Sequence, residues 1–119
     1  MGTNCLGHHL FTALLHPMLT RTAKTAPANI VRVVWVSSNA ASLFSPKGGV
    51  ELGNMDYSKP NRAAWPRYGA SKAGNVFQGS EAGRRWGSEG IVSVVSQYQP
   101  WLFDPSLGKD RESGRWRPG

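Results

Sequence analysis

The 119-residue sequence holds a single cysteine, no apolar run long enough to cross a bilayer, and half as many acidic as basic residues. Each shortage excludes something. Cys5 has no disulfide partner within these residues, so the fold rests on burial and hydrogen bonding, and the expected setting is the reducing cytoplasm. Without a run of about 18 apolar residues, no membrane-spanning helix is expected. The first residues lack the basic start, long apolar core and cleavage site of a secretory signal. Seven Asp and Glu against fourteen Lys and Arg leave a net charge of +7, which raises the question of nucleic acid. The bases are scattered, however. Their longest cluster is Arg84-Arg85, and Lys109, Arg111, Arg115 and Arg117 are interleaved with Asp110 and Glu112. A solvated surface explains them better than a nucleic-acid partner. Metal binding is not expected either, because His8, His9 and His16 share one predicted helix without a third ligand at a useful spacing.

What is present alternates between two periodicities. Leu6, Leu10, Ala13, Leu14 and Pro17, flanked by Phe11, Leu15 and Met18, form a broad apolar stripe at helical spacing. That predicts a helix from the first residues to about Lys24, kinked or locally broken at Pro17. After turn residues at 25–29, Ile30–Val36 is apolar and β-branched, as in a parallel strand covered on both faces, and it ends at Ser37-Ser38. Residues 39–66 carry Ser45-Pro46-Lys47-Gly48-Gly49 and Lys59-Pro60-Asn61, so a long loop with at most one short turn is expected. A helix follows from about Arg67 to Trp86, then a second strand over Ile91–Ser96. Helix, strand, helix, strand is an α/β pattern with a parallel sheet. Two parallel strands bury their faces and edges poorly, so the pattern reads as part of a larger fold. Residues 1–96 are expected to form one domain, and 97–119, with no period and a Gly-, Arg- and charge-rich end, an unrelated disordered tail.

The chemistry concentrates at two places. Tyr68 and Lys72 stand four apart on the second predicted helix, hence on one face, where an ammonium favours phenolate and makes the phenol a better proton exchanger. Ser37-Ser38 ends the first strand, and in parallel α/β sheets ligands sit beyond the carboxyl ends of the strands. A serine would orient a substrate oxygen, Tyr68 would exchange its proton, and Lys72 would tune that exchange. Hydride transfer at the same carbon needs a cofactor, since no side chain donates hydride.

Four stretches in order carry a resemblance: Thr3 to Thr12, Arg32-Val33-Val34-Trp35-Val36-Ser37-Ser38, Tyr68-Gly69-Ala70-Ser71-Lys72-Ala73-Gly74-Asn75, and Gly90-Ile91-Val92-Ser93-Val94. Over roughly residues 2–95 the chain resembles the central part of a short-chain dehydrogenase/reductase, closest to the branch with retinol dehydrogenases and the WW-domain oxidoreductase. The resemblance implies a partial Rossmann-like, doubly wound sheet and NADP- or NAD-dependent oxidoreduction of a small alcohol or carbonyl. It implies four catalytic positions. Asn4 would support a water-linked proton path, Ser38 would orient the substrate, Tyr68 would be the acid/base, and Lys72, with Tyr68, would bind the nicotinamide ribose. It also implies dimerisation with a related chain through the two helices. The departures are as informative. No Gly-rich turn for the cofactor pyrophosphate is found, Gly48-Gly49 lies in the wrong loop, and Tyr98-Gln99 stands where the family has Pro-Gly. The expectation is therefore a truncated, inactive fragment. The alternative is a non-catalytic fragment that pairs with an intact relative, or a gene remnant.

Overall fold

In the computed structural model, which describes residues 1–59 and 63–98, a π-helical turn over Gly2–Gly7 runs directly into α1 (His8–Ala23). The Met1 carbonyl accepts the N–H groups of Cys5 and Leu6 at 3.1 and 3.2 Å, which fixes this start. Pro17 lies inside α1 without ending it. The far end is anchored instead by side chains. The Thr20 hydroxyl donates to Glu89 at 2.6 Å, and His16 stacks on Trp86 at 4.8 Å while lying 3.2 Å from the same Glu89 carboxylate.

Then come β1 (Arg32–Ser38), α2 (Ala40–Phe44), a 3₁₀ turn (Leu52–Asn54), α3 (Ala64–Trp86), a second 3₁₀ turn (Gly87–Glu89) and β2 (Val92–Tyr98). The two strands pair in parallel, with Arg32 opposite Val92 and Ser38 opposite Tyr98. Each runs two residues beyond its predicted end, because Ser37 and Ser38 ladder onto Gln97 and Tyr98. The serines thus belong to the strand. The α/β alternation is as expected, and among the described residues the sheet has two strands. Residues 99–119, the bulk of the expected tail, lie outside the described residues.

Helix α3 covers one face of the sheet only. Trp35 and Ser37 are 3% and 1% exposed, whereas Val34 and Val36 are 54% and 46% exposed. The expectation of a strand covered on both faces is therefore wrong: its alternate residues face an open cleft shared with Phe11, Leu15 and Leu19 of α1. On the covered face, the Ser93 hydroxyl donates to the Gly79 carbonyl at 2.6 Å and accepts the Trp35 indole N–H at 3.1 Å. A side chain at Gly69 would come within 2.6–2.7 Å of backbone atoms of Ala40, Phe44 and Ser45, so glycine is what lets α2 lie against α3. The expected long loop at 39–66 is thus partly structured. Five residues are too few to show a helical period, and α2 went unforeseen.

Candidate active site

The site forms where β1 ends and α3 begins its second turn. Pro66 sits in the first turn of α3, where its missing N–H costs nothing, and starts the helix three residues ahead of the predicted Arg67. One turn later Tyr68 and Lys72 emerge together, the ammonium 5.6 Å from the centre of the phenol ring. Lys72 Nζ donates to the Val36 carbonyl at 3.1 Å, and Asn75 Nδ2 donates to the same oxygen at 3.0 Å. The end of β1 and the helix are also tied by the Ser37 hydroxyl, which donates to the Lys72 carbonyl at 2.9 Å.

Ser38 has a different task from its neighbour. Its Oγ accepts the Ala40 N–H at 3.2 Å, which holds the start of α2 and leaves its own proton to donate. Ser38, Tyr68 and Lys72 line one open cleft of about 680 Å³, walled by Leu43, Phe44 and Trp65. Asn4 is elsewhere. Its Nδ2 reaches Ser71 Oγ at 3.4 Å, and it lines a neighbouring cleft of about 540 Å³ that also includes Tyr68. The structure therefore brings together three of the four sequence-predicted residues in one cleft, with Tyr68 common to both clefts. Burial pushes the Cys5 thiol above its ordinary range, so the one cysteine is packed as an apolar group.

Sequence reasoning missed the residues that shape the cleft. Asn75 closes the Tyr68–Asn75 stretch but was given no role; it is fully buried and shares the carbonyl that holds Lys72, three residues away on the same helix face. Trp65 stands three residues before Tyr68, with its ring edge-on to the phenol at 6.3 Å. Phe44 packs on Trp65 at 5.2 Å, and only the existence of α2 puts it there.

Chemistry decides how far the residues fit a nicotinamide cofactor. The Tyr68 hydroxyl and Lys72 ammonium offer donors suited to a ribose diol. They fit that end of NADP or NAD. Among the described residues no Gly-rich turn leads from a strand into a long helix, as a pyrophosphate would need. Gly48 and Gly49, at φ of 85° and 84°, lie in the loop after α2, and Gly49 faces Phe77.

Sequence comparison finds similar proteins of one kind. The chain is 46% identical over 110 residues to the short-chain dehydrogenase/reductase pkfC of Emericella nidulans, covering 92% of this chain and 35% of that protein. It is 47% identical over 94 residues to the short-chain dehydrogenase/reductase iacJ of Pestalotiopsis fici, covering 79% and 28%. A short-chain dehydrogenase/reductase of Phomopsis amygdali is 43% identical over 113 residues, covering 93% and 33%. Over most of its own length the chain is thus similar to proteins named short-chain dehydrogenase/reductases. It spans about a third of the length of these curated relatives. A match over 92% of 119 residues does not stop at Ser96, so for two of these relatives it continues past the expected domain end. No family model matches the chain, and no solved structure does.

Proposed function

We propose that this chain carries the proton-transfer site of an NADP- or NAD-dependent oxidoreductase of the short-chain dehydrogenase/reductase type, acting on an alcohol or carbonyl in the cytoplasm. The observation that supports it best is the meeting of Ser38, Tyr68 and Lys72 around one cleft at the carboxyl end of β1. Ser38 donates to the substrate oxygen, and Tyr68 exchanges a proton with it. Lys72, held over the phenol by the Val36 carbonyl, supports the phenolate and, with Tyr68, holds the nicotinamide ribose. When bound, the nicotinamide supplies or takes the hydride. Asn4, bonded to Ser71 and lining the neighbouring cleft with Tyr68, is assigned the support of a water-linked proton path to Lys72. The wide separation of Ser38 from Tyr68 favours the retinol-dehydrogenase-like branch.

The 119 residues by themselves are inactive on this reading, since the described residues provide the ribose end of a cofactor site without a pyrophosphate cradle. The test is a chimera in which residues 2–95 replace the matched segment of a full-length relative. Retained NADPH- or NADH-dependent reduction of a ketone supports the reading, and a folded chimera without turnover contradicts it.

A second reading has its own observation. Leu10, Leu14 and Met18 recur every fourth residue on α1 and are 60%, 72% and 55% exposed, with Phe11 beside them. Such a stripe fits association with a related chain, in which this chain is a non-catalytic partner. Co-purification with an intact relative is its test.

A further inference from the structure

We infer that the cleft beside Tyr68 takes an uncharged, ring-bearing ketone or alcohol, with the oxygen at the Tyr68–Ser38 end and the ring against Phe44 and Trp65. The inference rests on the proposed oxidoreductase reading and adds the substrate class. The polar side chains lining the cleft are Ser37, Ser38 and Asn39 at the end of β1 and Tyr68 and Lys72 on α3, and the Ser37 hydroxyl is already spent on the Lys72 carbonyl. The large apolar ones are Leu43 and Phe44 of α2 and Trp65 of α3. Leu43, Phe44 and Trp65 are 70%, 41% and 61% exposed, a large apolar surface concentrated on one wall.

That wall has a shape as well as a polarity. Phe44 and Trp65 lie 5.2 Å apart with planes inclined by 38°, and Trp65 meets Tyr68 edge-on at 80°. The three rings therefore form a continuous aromatic surface leading to the phenol hydroxyl. Aromatic faces favour offset or edge contact with another ring, so a planar ring gains more here than a flexible chain of equal area. The volume of about 680 Å³ is within the range of small-molecule clefts and exceeds what a two- or three-carbon ketone fills.

Charge narrows the class further. Among the described residues that line the cleft, Lys72 is the one cation, its ammonium already engaged by Val36, and none is Asp, Glu or Arg. From these residues a phosphorylated substrate would meet one shared ammonium, and a cationic substrate no counter-charge.

The test measures binding to the 119-residue chain by isothermal titration, with three probes: 2-acetylnaphthalene, its carbonyl-free analogue 2-ethylnaphthalene, and dihydroxyacetone. Trp65 is exposed on the first turn of α3, so Trp65→Ala leaves the fold intact. Expected are tightest binding of the naphthyl ketone and about a tenfold loss in Trp65→Ala. If the two naphthyl probes bind equally and both weaken in Trp65→Ala, the ring-binding wall stands and the Tyr68–Ser38 oxygen site falls. If dihydroxyacetone binds as well as the ketone, or Trp65→Ala changes nothing, the substrate class is overturned. Tyr68→Phe separates the two claims once more: it should erase the ketone's advantage over 2-ethylnaphthalene and leave the latter's affinity unchanged.

Discussion

Tyr68 and Lys72 were legible at the residue scale because helical spacing alone puts them on one face. Their positioning was not. The Val36 carbonyl that receives Lys72 belongs to a strand 36 residues away, and the side chain sharing it, Asn75, has no residue type that announces a role. Asn75 is fully buried with its Nδ2 paired and its Oδ1 without a hydrogen-bond partner among the described residues. Asn75→Ala therefore removes one buried bond together with one unmet acceptor, and should lower stability by about 1 kcal/mol, read as a lower urea midpoint in the chimera. Lys72 is then the remaining side-chain donor to Val36 among the described residues. An unchanged midpoint would mean that this bond contributes nothing net.

At the scale of elements, α1, β1, α3 and β2 were readable from period and composition, while α2 was not. Its position follows from Gly69, whose missing side chain permits contact with the α2 backbone. Gly69→Ala should push α2 away from α3, cost about 1–3 kcal/mol by overpacking, and loosen the Phe44–Trp65 wall. Chemical denaturation of the chimera measures the first effect, and a raised KM for a ring-bearing ketone the second. The end of α3 carries a pH-dependent element. Arg84 and Arg85 both bond the Glu81 carboxylate and pull its pKa from 4.5 to about 2. Because the folded value is the lower one, the stabilisation is complete above the ordinary value near 4.5 and is lost as pH falls from there through about 2. The carboxylate is exposed, so the effect is local and screened by salt. A helicity loss over that range, abolished by Glu81→Gln and reduced in high salt, is the expected result by circular dichroism.

The described residues form two strands and their helices with much apolar surface showing. The sequence pattern points to part of a larger fold, and the chain spans about a third of the length of the curated relatives it matches. What composition could not convey is where that surface lies, since the same apolar stripe on α1 would serve a core equally well. Leu14 is 72% exposed at the middle of the stripe. Leu14→Asp should therefore leave the fold intact and cut co-purification with an intact relative at least tenfold, whereas an unaffected yield would remove α1 from any such interface. The central claim is that Tyr68 exchanges the proton, and single-turnover hydride transfer in the chimera tests it most directly. Tyr68→Phe, measured at saturating ketone, should slow that step by about 10²–10⁴-fold at neutral pH. A rate within a few-fold of the parent chimera would contradict the account.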